Sequence, residues 1–579
     1  MAPTARGKAE FEIKALPGMA ASDFTSLGTM YAGLLPIAAD WSNSQGSLFF
    51  WKLQTQTRQR TKKLVFWLNG GPGCSSMDGL FLENGPFIPL FDGTVQLRKS
   101  NWLDSADVVY VDQPVGTGYS NTGGSGSGHA SSLERVAENF QSFLEHFMEV
   151  FGDEFSNADV YVAGESYAGQ YIPYIARSIL SVTGSKRINL KGLLIGNGWF
   201  DPLRQYAAYV PYARRNGLLS GDYLTAAQDE TESCVETYSK ASQEHIKSDV
   251  CENIMDNILD ESIATGKTNC LNMYDIRYHD DGPLDGCGVS AWPPHVQDMA
   301  EYLGRADVKD AVHVPNEGKD VVWHECDSAV SKGLWNAPDA PSYKLLPQLL
   351  EKIPILLFNG DKDLICNWFG VYDMVSAMHW NGEAGMQNAP INTWHLNSEL
   401  QGWYQTARNL TFVLKQNASH MMPVDAPEAA RDLLNRFIGA STSAFPSGEL
   451  RIMALDQVTI VTDTSWDGSG RKEVNVGTSA IGQDNSVSNS TGNGAVESGT
   501  GLALSFGVVA VALVILIVFV VTATLYFMRS KMHDRGSNGW IELQTQDDEN
   551  HPRDDGEGVR PRDLAIPRRR SPSRNPQGE

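Results

Sequence analysis

The chain has 579 residues and a formal net charge of −23 at pH 7, because 69 Asp and Glu outnumber 46 Lys and Arg. A chain this acidic lacks the basic surface that a phosphate backbone requires, so nucleic acid is excluded as a partner. The length suits one large globular domain with appended segments.

The N-terminal segment, Met1 to Ala21, contains no apolar stretch of the kind that a signal peptide needs. Cysteines and glycosylation sequons further along the chain nevertheless indicate a lumenal or secreted domain. We therefore expect the natural N-terminus to differ from Met1.

Residues 1–440 alternate short apolar runs with amphipathic segments, which predicts a mostly parallel sheet covered by helices on both faces. The runs that predict buried strands are Leu64–Leu68, Asp107–Asp112, Asp159–Ala163, Leu190–Ile195, Ile353–Phe358 and Leu410–Leu414. Val136–Phe151 and Ala426–Ile438 have the spacing of helices.

A glycine-rich turn follows the first predicted strand and reads Asn-Gly-Gly-Pro-Gly-Cys-Ser-Ser over residues 69–76. A phosphate-binding loop is the competing interpretation. That interpretation is rejected because no Lys ends the turn and Pro72 removes a backbone donor. The turn instead suits one half of an oxyanion hole, which needs backbone N–H groups.

Ser166 lies at the apex of a second turn, Gly-Glu-Ser-Tyr-Ala-Gly over residues 164–169. The predicted strand Asp159–Ala163 precedes it, and the helix-like segment Tyr171–Leu180 follows. A strand, a tight turn with Ser at its apex and a helix form the nucleophile elbow of α/β-hydrolases. The backbone N–H of Tyr167 is then the other half of the oxyanion hole.

Residues 201–320 interrupt the alternating pattern and are rich in polar and charged residues, so we expect an inserted, largely helical cap stapled by disulfides. The chain has seven cysteines, Cys74, Cys234, Cys251, Cys270, Cys287, Cys326 and Cys366. None forms a Cys-x-x-Cys pair, so we expect no metal site and no cofactor. Disulfides in an oxidising compartment are the better explanation, with one thiol left free because the count is odd.

A serine nucleophile needs a base, and the base needs a carboxylate to orient it. In this fold the three residues occur along the chain in the order Ser, acid, His, and the acid and the His each follow a late strand. Asp361 and Asp363 both follow the predicted strand Ile353–Phe358, and the residues alone leave the choice open. Of the twelve histidines, only His420 follows a late strand in this way.

The C-terminal part of the chain predicts a membrane anchor. Residues 441–500 are rich in Ser, Gly and Thr and suit a flexible lumenal stalk. Residues 502–528 are apolar and exceed the roughly 20 residues that a transmembrane helix requires. Basic residues follow at once, so residues 529–579 are expected to be a disordered cytoplasmic tail. Asn409, Asn417 and Asn489 open N-glycosylation sequons.

These motifs together resemble the serine carboxypeptidases over roughly residues 10–440. The resemblance rests on Trp-Leu-Asn-Gly-Gly-Pro-Gly-Cys-Ser-Ser at 67–76, Asp-Gln-Pro-Val-Gly-Thr-Gly at 112–118, Gly-Glu-Ser-Tyr-Ala-Gly at 164–169, Gly-Asp-Lys-Asp at 360–363 and the segment around His420. The predicted membrane span and tail narrow this resemblance to the Golgi-resident, Kex-type branch of the family, which processes pheromones in fungi.

The resemblance implies that Ser166 is the nucleophile, His420 the base and Asp363 the orienting carboxylate. It also implies that Gly71 and Tyr167 supply the oxyanion N–H groups. The substrates would be peptide and protein precursors ending in Lys or Arg. Pheromone maturation and programmed cell death would be the processes served, at the trans-Golgi membrane with the catalytic domain in the lumen.

A second set of residues would bind the substrate. The C-terminal carboxylate is expected at Asn69, Gly70, Glu83 and Glu165, and the leaving residue at Asp78, Cys366 and Met421. For Asp78, the alternative is a turn residue that bonds its own backbone. The resemblance also pairs Cys74 with Cys326 and leaves Cys366 free, so that the four cap cysteines form two bridges of open pairing.

Two other functions compete with this one. A lipase or esterase of the same fold would not need groups that recognise a free carboxylate. A catalytically inactive hydrolase domain serving as a membrane receptor would be expected to lack a triad residue, whereas all three are present.

Overall fold

The computed structural model of the chain describes residues 7–38, 41, 46–57, 59, 61–123, 128–184, 188–241, 245–264, 270–280, 293–315 and 322–440. In this part of the chain, ten strands form one sheet. They are β1 Met30–Pro36, β2 Ser47–Leu53, β3 Lys63–Leu68, β4 Asp107–Asp112, β5 Asp159–Glu165, β6 Leu190–Gly196, β7 Ile355–Gly360, β8 Asn392–Leu396, β9 Glu399–Ala407 and β10 Leu410–Lys415.

The sheet is mixed, with the strand order β1-β2-β4-β3-β5-β6-β7-β10-β9-β8. The six central strands, β4 to β10 in this order, are parallel. An antiparallel pair of strands closes each edge. Short two-stranded ladders pair Phe87–Pro89 with Val95–Leu97, Cys270–Leu271 with His279–Asp280, and His379–Trp380 with Glu383–Ala384.

The six predicted strands are the six parallel strands, and this part of the prediction is confirmed. Parallel strands are buried on both faces and therefore appear in the sequence as continuous apolar runs. Every residue of β4, β7 and β10 is buried. The strand predicted from Ile353 begins at Ile355 instead, because Pro354 has no N–H to donate to the ladder.

Among the described residues, helices cover both faces of the sheet and also make up most of the chain between β6 and β7. They are α1 Ala21–Ser26, α2 Leu133–Phe155, α3 Ala168–Ser181, α4 Pro202–Ala207, α5 Tyr209–Arg215, α6 Gly221–Lys240, α7 Asp249–Ala264, α8 Val296–Gly304, α9 Ala306–Ala311, α10 Ser328–Trp335, α11 Leu346–Leu350, α12 Trp368–Ala377, α13 Met422–Asp425 and α14 Pro427–Ile438. Shorter turns are the 3₁₀ segments Lys8–Glu10, Trp102–Asp104 and Ser342–Leu345 and the π-helix Gly79–Glu83.

Helix α2 shows why these segments are helical and what they bury. The side chain of Ser132 caps it by accepting a hydrogen bond from the Arg135 N–H. Its buried face carries phenylalanines three or four residues apart, and Phe147 packs on Phe66 of β3 with ring centroids 5.3 Å apart. Burying each such ring contributes roughly 1.5–3 kcal/mol to the stability of the fold.

The region predicted as a cap, 201–320, contains helices α4 to α9 in its described residues. The disulfide Cys234–Cys251 joins α6 to α7. Cys270 is also disulfide-bonded, and Cys287 lies outside the described residues.

The predicted stalk, membrane span and tail, residues 441–579, lie outside the described residues. In the part of the chain that the structure does describe, no helix is both long enough and apolar enough to cross a bilayer.

Candidate active site

The carboxyl ends of the parallel strands meet at one edge of the sheet, and the predicted site residues collect there. The register aligns Leu68 of β3 with Gly164 of β5, and Glu165 of β5 with Gly196 of β6. Loops that leave this edge are where α/β folds place their sites.

Ser166 lies between β5 and α3 with a backbone φ of 60°, which is rare for a residue other than glycine. The turn is held from both sides: the Ser166 N–H donates to Gly196 O at 3.1 Å, and the Ser166 carbonyl accepts from the Trp199 N–H at 2.9 Å. This is the strained strand–turn–helix geometry of a nucleophile elbow. Helix α3 begins at Ala168, and its first turn is bonded to the elbow, because the Gly169 N–H donates to the Ser166 carbonyl at 2.9 Å.

Asp363 and His420 are hydrogen-bonded, with 2.8 Å between His420 Nδ1 and Asp363 Oδ2, and both side chains are buried. Asp363 also accepts from Asn197 Nδ2 at 2.7 Å and from the Cys366 N–H at 3.2 Å. These bonds fix the carboxylate, which in turn fixes the imidazole. Asp361 lies elsewhere, with its side chain 3.2 Å from Lys362 Nζ.

Asn197 and Tyr274 were not found by sequence reasoning. Asn197 donates to Asp363 and accepts from the Gly360 N–H at 3.1 Å. The Tyr274 carbonyl accepts from the His420 N–H at 2.9 Å, and the two rings are 5.1 Å apart. The signal available for Asn197 was its position directly after a buried parallel strand, whereas nothing in the sequence around Tyr274 indicated the contact.

The glycine-rich turn after β3 lies against the nucleophile elbow. A Cβ on Gly70 would lie 2.4 Å from the Tyr167 nitrogen and 2.8 Å from Ser166 Cβ, so no side chain fits. Gly71 has a φ of 105°, which side chains rarely permit. The disulfide Cys74–Cys326 anchors the end of the turn.

Asn69, Glu83 and Glu165 form one buried hydrogen-bonded group. Asn69 Nδ2 donates to Glu83 Oε1 at 3.1 Å and to Glu165 Oε1 at 3.0 Å. Asn69 Oδ1 is held by Trp67 Nε1 at 2.6 Å and by the Gly79 N–H at 3.2 Å, which orients the amide. The two carboxyl groups also hydrogen-bond each other.

Burial raises the pKa of both carboxyl groups, and the two are unequal. The pKa of Glu165 lies well above its usual range because burial, the Glu83 charge and the hydrogen bond to Glu83 all act in the same direction. At Glu83, burial also raises the pKa, but hydrogen bonds from Glu165 and Asn69 and the positive charges of His420 and Arg98 oppose it.

Asp78 is 2 % exposed and stands directly before the π-helix that carries Glu83. Its side chain caps no backbone N–H of that helix, and its Oδ1 has no hydrogen-bond partner. Burial first, then the charges of Glu325, Glu83 and Asp112, raise its pKa well above the usual range.

Cys366 is a free, buried thiol whose side chain contacts Ser166, and burial raises its pKa well above the usual range. Met421 follows His420 and begins the turn into α13. The ligand atoms of Asp363, Cys366 and His420 lie within 4.8 Å of one another. Within this group, His420 Nδ1 is already bonded to Asp363 Oδ2. Asn409 and Asn417 are exposed, and Asn489 lies outside the described residues.

Comparison with known proteins decides the family. Residues 17–440 match the sequence profile of the family described as "Serine carboxypeptidase". This chain belongs to the serine carboxypeptidase family. It is an enzyme, a hydrolase acting on peptides.

Individual relatives agree with this assignment. The pheromone-processing carboxypeptidase KEX1 of Phaeosphaeria nodorum is 41% identical over 454 residues, which cover 76% of this chain and 68% of that protein. KEX1 of Uncinocarpus reesii is 42% identical over 459 residues, covering 76% and 69%. The crystal structure of a Kex1 prohormone-processing carboxypeptidase from Saccharomyces cerevisiae is similar with a TM-score of 0.69 at 34% identity, covering 75% of this chain and 97% of that one.

Proposed function

We propose that this serine carboxypeptidase removes C-terminal Lys and Arg residues from peptide and protein precursors, among them pheromone precursors. Several relatives are named for pheromone processing, and the Saccharomyces structure for prohormone processing. The acidity of the chain, with a net charge of −23, favours basic substrates through long-range attraction.

The observation that carries an exopeptidase function is the position of the carboxyl pair. Glu165 directly precedes Ser166, and Asn69 directly precedes the glycines that lie against the elbow. Groups that bind a carboxylate thus stand one residue from the nucleophile and one residue from the oxyanion turn. A substrate held there by its terminal carboxylate presents its last peptide bond to Ser166.

The roles follow from this placement. His420 takes the Ser166 proton as Ser166 Oγ bonds to the carbonyl carbon, while Asp363 holds the imidazole. The N–H groups of Gly71 and Tyr167 stabilise the resulting oxyanion. His420 then protonates the leaving nitrogen, the C–N bond breaks, and the leaving amino acid departs from an acyl-enzyme on Ser166. Water activated by His420 hydrolyses the acyl-enzyme.

The leaving residue's carboxylate would be bound by hydrogen-bond donors rather than by a cation. Asn69 Nδ2 offers an amide donor, and Glu165 offers the proton that its raised pKa retains. Gly70 would add its backbone N–H. An ester of a lipid has no free carboxylate for these groups, which is why a lipase or esterase is the weaker alternative.

The experiment that tests the reaction uses the purified protein and a fluorophosphonate probe. The native enzyme is expected to be labelled at Ser166 and to cleave a peptide with a free C-terminus. Ser166→Ala is expected to abolish both without unfolding the protein, and Asp363→Ala or His420→Ala to abolish turnover. Substantial peptidase activity in Ser166→Ala would refute the mechanism. A native protein that is neither labelled nor active would favour the inactive, receptor-like hydrolase domain.

Specificity for basic residues is proposed to depend on Asp78. A turn residue would hydrogen-bond its own backbone, whereas the Asp78 side chain caps no N–H and is buried beside the carboxyl pair. Cys366 and Met421 would line the same subsite. A charge-assisted pair with Lys or Arg is worth roughly 1.5–3 kcal/mol, or about a ten- to hundred-fold preference over apolar residues.

The cellular setting is proposed from the chain's organisation. Residues 441–500 would form a lumenal stalk, 502–528 a single transmembrane helix and 529–579 a cytoplasmic tail, with the cap and catalytic domain in the Golgi lumen. The disulfides and the exposed Asn409 and Asn417 suit a lumenal domain. Sugar addition at these asparagines, tested by glycosidase digestion of protein from the native host, would support this topology.

A further inference from the structure

Residues 272–278 form a turn in the region predicted as a cap, and the mechanism above gives this cap turn no role. It connects the two strands of the short ladder between Cys270–Leu271 and His279–Asp280. The Asn272 N–H donates to the carbonyl of residue 278 at 3.1 Å, and Asn272 Oδ1 accepts from the N–H groups of residues 274 and 275 at 2.9 and 3.1 Å. Since Asn272 is also fully buried, the cap turn has a fixed shape.

The backbone of the cap turn is bonded to the loop that carries Asp363. The Met273 carbonyl accepts from the N–H groups of the two residues that follow Asp363, at 3.1 Å each. The Ile276 N–H donates to the carbonyl of the residue before it, Lys362, at 3.0 Å. These bonds lie on both sides of Asp363 along the chain, so the cap turn fixes the backbone of the triad's acid.

The cap turn is also bonded to the loop that carries His420. The Tyr274 carbonyl accepts from the His420 N–H at 2.9 Å. Arg277 donates from Nη1 to the Asn417 carbonyl at 3.1 Å and from Nη2 to Asp425 Oδ1 at 2.6 Å. Asp425 Oδ2 in turn accepts from the N–H of the residue directly before His420 at 2.7 Å. One guanidinium of the cap therefore holds the histidine loop on both sides of His420.

The guanidinium of Arg277 is itself held in one plane by Asp275. Its Nε donates to Asp275 Oδ1 at 2.8 Å and its Nη2 donates to Asp275 Oδ2 at 2.5 Å. This two-point pairing fixes direction as well as distance, which a lysine ammonium would not do. The Asp275 carboxylate is fully buried, whereas the Arg277 side chain is 34% exposed.

We propose that Arg277 is a positioning residue for catalysis, which holds the loop of His420 in register with the loop of Asp363. This inference rests on the triad roles in the proposed function. A displacement of about 1 Å in a catalytic group can cost roughly a hundred-fold in rate. The partners of Arg277 given above are not among the groups proposed to bind the substrate. Its loss is therefore expected to lower kcat and to leave KM near the native value.

The test measures kcat and KM separately on the purified full-length protein, with a peptide ending in Lys. Arg277→Gln is expected to lower kcat by about ten- to hundred-fold and to slow fluorophosphonate labelling of Ser166 by a similar factor. Arg204→Gln is the matched control. Arg204 is 37% exposed and bridges two carboxylates, Asp201 and Asp373, neither of which lies on a triad loop. Its kcat is expected to stay near the native value.

Two further variants separate positioning from folding. Arg277→Gln leaves Asp275 buried without its cation, which costs stability as well. Asp425→Asn keeps that ion pair, but its single amide oxygen cannot replace both carboxylate oxygens. It is expected to lower kcat by a similar factor with a smaller fall in Tm. Combining Arg277→Gln with Asp425→Asn is expected to cost less kcat than the product of the single losses, because both break the same link.

The outcomes distinguish this inference from the proposed function. Native kcat in Asp425→Asn would refute the inference, whether or not Arg277→Gln folds, and the carboxypeptidase function would stand. A raised KM with native kcat in the Arg277 variant, or an equal fall in kcat in Arg204→Gln, would also refute the inference. A native protein that neither cleaves the peptide nor reacts with the probe would refute the proposed function itself.

Discussion

Glu83 and Glu165 lie together in a buried site, and under the proposed function a proton kept by the pair would allow two acids to bind an anion. As the pH rises, Glu165 ionises and the pair repels the substrate's carboxylate instead of donating to it. We expect KM for free-carboxylate peptides to climb steeply as the pH rises above the range in which a Glu side chain usually ionises. The matching peptide amides carry no carboxylate, and their KM is expected to change much less. Equal pH profiles of KM for the two substrate series would contradict the prediction.

Asn197 is a second single residue with a predicted effect on catalysis. It contacts the carboxylate of Asp363 rather than the substrate. Its amide donates to Asp363 Oδ2 at 2.7 Å, the oxygen that also accepts from His420. Removing a hydrogen bond to a charged group costs roughly 1.5–3 kcal/mol, so Asn197→Ala is expected to lower kcat by about ten- to hundred-fold. KM should change little, because Asn197 would not touch the substrate. A variant with raised KM and native kcat would show that Asn197 shapes the binding site instead.

At the scale of elements, Asp112 connects the glycine-rich turn after β3 to the loop that follows β4. Its Oδ1 accepts from Ser75 Oγ at 2.6 Å and from the Ser76 N–H at 3.0 Å, and its Oδ2 accepts from the Tyr119 N–H at 2.9 Å. Burial nevertheless raises the pKa of Asp112 from 3.8 to about 6, although these bonds oppose the change. The carboxylate is thus costly to ionise in the folded protein.

The raised pKa of Asp112 predicts how the stability of the fold changes with pH. A carboxyl group with a raised folded-state pKa stabilises the protein fully below pH 3.8, and this contribution is lost as the pH rises through about 6. The loss amounts to at most about 3 kcal/mol. Asp112→Asn cannot titrate, so its Tm relative to the native protein is expected to rise between about pH 4 and pH 6.5. Thermal unfolding of both proteins across this range measures the difference, and a constant difference would show that Asp112 does not titrate there.

At the scale of the whole molecule, burial explains only some of what the sequence could predict, because β1 and β2 are almost as buried as the parallel strands and were missed. The six parallel strands were predicted because both of their faces are covered, which makes them continuous apolar runs. The four edge strands were missed. In β1, Gly33 and Pro36 break the apolar run, and β9 is half-exposed and polar.

The residues of the candidate site also fall into a group that the sequence predicted and a group that it missed. The triad positions follow strand ends and were predicted from the order of motifs, although the residues alone could not separate Asp361 from Asp363. Asn197 and Tyr274 meet the site through hydrogen bonds across 166 and 146 residues of chain, with Asp363 and His420 respectively. Such pairings depend on how the cap and the loops pack, which local sequence patterns do not encode.

The two disulfides with known partners differ in what they constrain, and this gives a final prediction. Cys74–Cys326 closes a loop with a sequence separation of 252 residues, whereas Cys234–Cys251 closes one of 17. In the chain-entropy description, they stabilise the fold by about 5 and about 3 kcal/mol respectively, because the longer loop restricts the unfolded chain more. Thermal unfolding should therefore show a larger fall in Tm for Cys74→Ala/Cys326→Ala than for Cys234→Ala/Cys251→Ala.

The two double variants are also expected to differ in catalysis. The first frees the end of the glycine-rich turn that lies against the nucleophile elbow, so kcat/KM should fall even at temperatures where the protein stays folded. The second releases a link between two cap helices, α6 and α7, and should leave kcat/KM near the native value. Equal effects of the two variants on Tm and on kcat/KM would mean that the bridge at Cys74 does not position the site.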